Sequence, residues 1–187
     1  MACPKDDHNI LKFLYSFVDQ YRDSDELYYS AAIIFKEPAH SNEEIFDKNM
    51  WQRLQALSDM DCEKYKYDGR VSNDPNSPDF SFSLKEESFF IIALHPANSR
   101  PLRRFKYPTL VFNPHIQFEE LREKGKYEKM KTVVRKRDIM FSGSINPMLS
   151  DYGEASETYQ YSGRKYDGKW QCPLKINHGA IKNNRTP

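Results

Sequence analysis

Phe80-Ser81-Phe82-Ser83-Leu84-Lys85-Glu86-Glu87-Ser88-Phe89-Phe90-Ile91-Ile92-Ala93-Leu94-His95 is the stretch on which the fold turns. Phe80 to Leu84 alternates apolar and polar side chains, the two-residue period of a strand. Phe89 to Leu94 is continuously apolar, as a buried strand is. Lys85-Glu86-Glu87 between them predicts a hairpin. Thr109 to Phe112 predicts another strand. Tyr28 to Phe35, rich in aromatic and branched residues, reads as a buried strand.

Helices surround these strands. Ile10, Phe13, Leu14, Phe17, Val18 and Tyr21 line one face of a helix within Asn9 to Tyr21. Ser41 with Glu44 forms a capping box for a second, carrying Ile45, Trp51, Leu54 and Leu57. Pro114, at the favoured first position, opens a third through Phe118, Leu121, Tyr127, Met130 and Val134, which Gly125 could divide. After Arg137 the chain turns irregular but stays aromatic. The expectation is one α+β domain over residues 1–176: a small mixed sheet under about three helices, an irregular C-terminal third over a pocket, and a flexible tail at 177–187.

The chain has 187 residues, a formal net charge of +1, and 12 Tyr and 12 Phe. Such aromatic content argues against disorder despite a mean hydropathy of −0.83. Near-zero net charge gives no reason to expect nucleic acid or an anionic membrane as partner. No apolar run is long enough to span a bilayer, and Met1 to Asp7 has no signal pattern. Cys3, Cys62 and Cys172 form no CxxC pair, which suits a reducing, cytoplasmic location. Glycine-rich dinucleotide loops, Walker loops, HExxH and GxSxG are all absent from the sequence.

Four clusters carry candidate chemistry. His95 ends a strand and precedes Arg100, Arg103 and Arg104, a set that could offer an iron ligand and cations for carboxylates. A solvated basic loop is the plainer alternative. His115, where a strand runs into a helix, could ligate iron or remain a neutral hydrogen-bonding group, or simply follow a capping Asn113. Asp151, Glu154 and Glu157, three residues apart, would share one helical face and suit a metal ion or a guanidinium, or form an acidic helix start. Tyr161 and Arg164 could serve bound oxygen and a carboxylate. Cys172 offers a possible thiolate, though a lone cysteine more often packs as a small apolar residue.

Two runs together resemble the YqcI/YcgG family. The first is His95-Pro96 … Ser99-Arg100 … Arg103-Arg104-Phe105 … Pro108-Thr109-Leu110-Val111-Phe112-Asn113-Pro114-His115. The second is Gly143-Ser144 … Asn146-Pro147-Met148-Leu149 … Asp151-Tyr152-Gly153 … Ser156-Glu157 … Gln160-Tyr161-Ser162-Gly163-Arg164 … Trp170 … Cys172-Pro173. The resemblance implies a haem b-dependent monooxygenase using O2 or peroxide. Its substrate would be a guanidino nitrogen of arginine or an arginine-derived compound, as in guanitoxin biosynthesis, and its electron donor is open. His95 is then expected to hold iron, with His115 the alternative. Arg100, Arg103, Arg104 and Arg164 would hold the cofactor, Asp151, Glu154 and Glu157 the substrate, and His115, Tyr161 and Glu157 would act in catalysis. Relatives usually start with a Phe-Pro-Cys segment; Met1-Ala2-Cys3-Pro4 suggests a shortened start. Two readings compete: a haem or small-molecule binding protein without turnover, and a metal-dependent hydrolase built on the three acids. If the strands ending at Leu94 and Phe112 are antiparallel neighbours, His95 and His115 cannot reach one iron.

Overall fold

A computed structural model describes residues 1, 3–37 and 42–178. Four strands form one sheet: β1 (Ala31–Ile34), β2 (Phe82–Leu84), β3 (Glu87–Leu94) and β4 (Thr109–Pro114). Their order is β1-β4-β3-β2, and every pairing is antiparallel, so the sheet is not mixed. The two-residue link between β2 and β3 permits only an antiparallel pair there, because a parallel pair needs a crossover of a dozen or more residues. The helices are α1 (Asp7–Arg22), α2 (Glu43–Asp61), α3 (Ile116–Glu123), α4 (Tyr127–Ser142) and the single turn α5 (Thr158–Tyr161). No helix among the described residues is long and apolar enough to cross a membrane.

The expected hairpin forms, with Lys85 and Glu86 as its two-residue turn. Both have positive φ, 54° and 57°, the conformation that matches strand twist in tight hairpins. Arg22 Nη2 donates to both their carbonyls, and Lys85 N–H donates to Asp61. Leu84 thereby pairs with Glu87, and the side-chain alternation of β3 is set.

That alternation gives the sheet two unlike faces. Phe89, Ile91 and Ala93 of β3, with Leu110 and Phe112 of β4, are fully buried beside Leu14, Phe17, Val18, Met50, Leu54 and Leu57 of α1 and α2. Phe90, Ile92, Val111 and Asn113 on the opposite face are only half-buried. A cleft lies on that second face.

Several boundaries differ from expectation. Of the stretch Tyr28 to Phe35 only Ala31–Ile34 forms a strand, and it lies at the sheet edge rather than buried: Tyr28, Ser30, Ala32 and Ile34 are exposed. Pro114 ends β4 opposite Phe89, and the helix begins at Ile116. Gly125, at φ 65°, separates α3 from α4 as its position suggested. Asn42 caps α2 by accepting from Ile45 N–H; Ser41 of the expected capping box lies outside the described residues. Asn177 and His178 are pinned to α2 rather than frayed, His178 Nε2 lying 2.9 Å from the buried Asp61 carboxylate. The rest of the expected tail, 179–187, lies outside the described residues.

Candidate functional site

The register of β3 on β4 decides which candidates can meet. Leu94 pairs with Thr109 and Phe89 with Pro114, so His95 and His115 emerge at opposite ends of the ladder. The antiparallel condition set out above therefore holds, and the clusters fall into two groups.

At the His95 end the arginines are satisfied by the protein itself, while both His95 ring nitrogens are buried without a hydrogen-bond partner. His95 is fully buried and stacks on Phe46, with ring centroids 4.2 Å apart. Burial lowers its pKa, against a weaker opposing pull from Glu43. Arg100 donates to Asp138 at 2.6 Å and to the Ser144 carbonyl. Arg103 donates to the carbonyls of Ala93, Tyr161 and Gln160, and burial lowers its pKa to about 10. Arg104 donates to the Asn98 carbonyl, and Arg164 pairs with Glu44 at 3.0 Å. These arginines tie loops together with the bonds that were expected to hold a cofactor. Cys172 is buried in the core, and desolvation pushes its thiol up to about 12, which disfavours a thiolate.

The His115 end opens into a cleft of about 330 Å³. Phe90 and Ile92 of β3, Phe118 and Leu121 of α3, and Met130 and Val134 of α4 supply apolar walls. His115 sits where β4 passes into α3, fixed by its N–H donating to the Ser88 carbonyl at 2.8 Å. It is 4% exposed, and neither ring nitrogen has a hydrogen-bond partner. Nδ1 lies 3.6 Å from Glu157 Oε1, Nε2 lies 3.8 Å from Glu119 Oε1, and Tyr152 meets the ring edge-on at 4.5 Å.

Glu157 is the buried anchor behind His115. Ser81 Oγ donates to it at 3.1 Å and Tyr161 Oη at 3.4 Å. Desolvation raises its pKa, while His115, Ser81 and Tyr161 pull it back. Tyr161 is itself fully buried, accepts from the Phe82 N–H, and has its pKa pushed well up by burial. It braces Glu157 from behind.

The three acids do not share a helical face. Residues 151–157 form turns, so Asp151 looks into the cleft and Glu157 is buried. Exposed Glu154 instead accepts the Asp151 N–H. Asp151 is already paired with Lys131 at 3.1 Å and loosely with Arg135 at 3.9 Å. Among the described residues no three His, Cys, Asp or Glu side chains gather closely enough to hold a metal ion, and Asp151, Glu154 and Glu157 are no exception.

The residues at His115 fit the haem implied by the resemblance. The imidazole has a carboxylate near each nitrogen and a hydrogen bond on neither; backed by buried Glu157 at Nδ1, its Nε2 would hold iron once the exposed Glu119 swings aside, and apolar walls suit a macrocycle. His95 also lacks hydrogen bonds at its ring nitrogens, but it stacks on Phe46 away from this cleft and has no carboxylate at ion-pair distance among the described residues. The sequence reading missed Tyr152, Lys131 and Arg135 as cleft residues. The i, i+4 spacing of Tyr127, Lys131 and Arg135 is the signal that could have found the basic side of α4.

Residues 1–175 match the YqcI/YcgG family. The uncharacterized protein YqcI of Bacillus subtilis (strain 168) is 28% identical over 169 residues, which is 85% of this chain and 66% of that relative. The chain thus spans just under two thirds of that relative's length. No solved structure matches. With the match running over residues 1–175, the chain belongs to the YqcI/YcgG family.

Proposed function

We propose that the chain is a haem-dependent monooxygenase that hydroxylates a guanidino nitrogen of arginine or an arginine-derived small molecule, with its centre in the cleft at His115. The observation that carries this reading is the buried His115 ring: Nδ1 is backed by Glu157, and no hydrogen bond occupies either nitrogen. His115 would hold iron, and bound haem would supply the activation of O2 or peroxide.

The chain's own residues do the rest. Glu157 orients the His115 ring and, through its raised pKa, can keep a proton beside it. Ser81 and Tyr161 fix that carboxyl. Asp151 is the cleft carboxylate able to accept paired N–H bonds from a guanidinium, in exchange for Lys131. Tyr152, held by its hydroxyl on the Asp79 carbonyl, closes over His115 and limits water.

The test is the absorption spectrum of purified protein with added haem. A shifted Soret band in the wild type and in His95→Ala, lost in His115→Ala with the fold intact by circular dichroism, is the expected result. No band in the wild type ends the haem reading. Haem binding without turnover of arginine or related guanidines, given peroxide or a reductase, would instead leave a haem-binding protein without catalysis.

A further inference from the structure

If the arginines beside His95 are committed to the protein's own carbonyls and carboxylates, the cleft needs another cation set for any anionic ligand. The cleft face of α4 provides one. Tyr127, Lys131 and Arg135 recur every four residues and point into the cleft, and Arg122 of α3 lies over the Tyr127 ring at 4.4 Å.

The three cations are not equally occupied. Lys131 is satisfied by Asp151 at 3.1 Å and Glu128 at 2.9 Å. Arg122 has no carboxylate within ion-pair distance among the described residues, only the face of Tyr127. Arg135 reaches Asp151 only at 3.9 Å; its side chain is 38% exposed at the cleft mouth, but its Nε is buried with no hydrogen-bond partner. A buried guanidinium N–H left unpaired is costly unless a ligand completes it. A guanidinium offers parallel N–H donors that match a carboxylate.

We infer that Arg135 and Arg122 form a carboxylate seat on the wall of the His115 cleft, for a ligand with an apolar body and one or more carboxylates. The apolar body would lie against Phe118, Leu121, Met130 and Val134. For the haem proposed above, the seat takes the propionates, a role the sequence had suggested for Arg100, Arg103, Arg104 and Arg164. The inference rests on that reading of the cleft as a cofactor site, but not on iron ligation.

Metal-free protoporphyrin IX separates the two. Its fluorescence is titrated with the full chain as wild type, Arg135→Gln, Arg122→Gln and Lys136→Gln, the last a control on the exposed side of α4. Haem is titrated in parallel. Each arginine variant is expected to bind the porphyrin about tenfold more weakly, the scale of one charge-assisted bond, with Lys136→Gln unchanged. Equal affinity in wild type and both arginine variants overturns the seat, even if haem still gives a Soret band. Arginine-dependent porphyrin binding without a haem Soret band keeps the seat and removes the haem reading. No binding of either probe removes both.

Discussion

His95 and His115 cap opposite ends of the same β3–β4 ladder, on the order of 20 Å apart given the rise of a strand. No single small group can touch both. One histidine is packed into the core and the other faces the cleft, so their substitutions should separate. His95→Ala removes a fully buried ring from its stack on Phe46, and a loss of about 2–4 kcal/mol in urea unfolding is expected. His115→Ala, at the cleft wall rather than in the core, should lose less than half of that while abolishing the proposed cleft chemistry; neither ring has a hydrogen bond to lose. The reverse ranking would mean that His115 is the structural member of the pair.

His95 also gives the protein a defined acid sensitivity. Burial lowers its pKa from the ordinary 6.5, so the folded state favours the neutral ring while the unfolded chain takes up a proton near 6.5. Its stabilising contribution is complete above 6.5 and fades as pH falls through the lower folded value. Glu157 works in the other direction. Its raised pKa makes its contribution complete below the ordinary 4.5, and that contribution is lost as pH rises through the folded value. The His95 part of the urea midpoint should therefore fall toward acid below about pH 6.5, at up to about 1.4 kcal/mol per unit, against the opposing Glu157 part. His95→Phe, which keeps a ring against Phe46, should flatten that fall. Parallel curves for the two proteins would exclude His95 as its source.

Much of this architecture is written locally. The hairpin at Lys85 and Glu86, the alternation of β3 and the division at Gly125 each depend on a few neighbouring residues, and all three form. What could not be read depends on distant partners. Tyr28 to Phe35 has the composition of a buried strand, but sheet order leaves it at an edge. The arginines after His95 look like ligand residues because Asp138 and Glu44, which neutralise Arg100 and Arg164, lie 38 and 120 positions away. Asp151, Glu154 and Glu157 have helical spacing without a helix, since Gly153 at φ 87° turns the chain between them. His115 was open as a candidate, but its pairing with Glu157 awaited the packing of the irregular C-terminal third.

Gly163 is where that irregular third locks onto the sheet. Its φ is 77°, and a Cβ there would lie 2.9 Å from Arg103 Cγ and 3.3 Å from Asn98 Nδ2. Those two side chains clamp the loop: Arg103 donates to the Gln160 and Tyr161 carbonyls, and Asn98 to that of Ser162. Gly163→Ala combines left-handed strain with displacement of the clamp, and a loss of about 1–3 kcal/mol in thermal or urea unfolding is expected. Gly69→Ala, with nothing within 4 Å of the added carbon, should stay near neutral. Equal effects at the two glycines would mean that the clamp does not hold the loop.

The hairpin turn offers the opposite experiment. Glu86 holds φ 57° without being glycine, a conformation that costs an L-residue roughly 1–2 kcal/mol. The contacts that fix the turn are made by its backbone, through Arg22 to the Lys85 and Glu86 carbonyls, and by the Lys85 side chain to Asp19. Glu86→Gly keeps all of these and removes the strained Cβ. Glycine's extra freedom in the unfolded chain offsets part of the gain, about 0.5–1 kcal/mol. A net stabilisation of about 0.5 kcal/mol is expected as a higher urea midpoint with an unchanged slope. A lower midpoint would mean that the Glu86 side chain contributes more to the turn than its backbone strain costs.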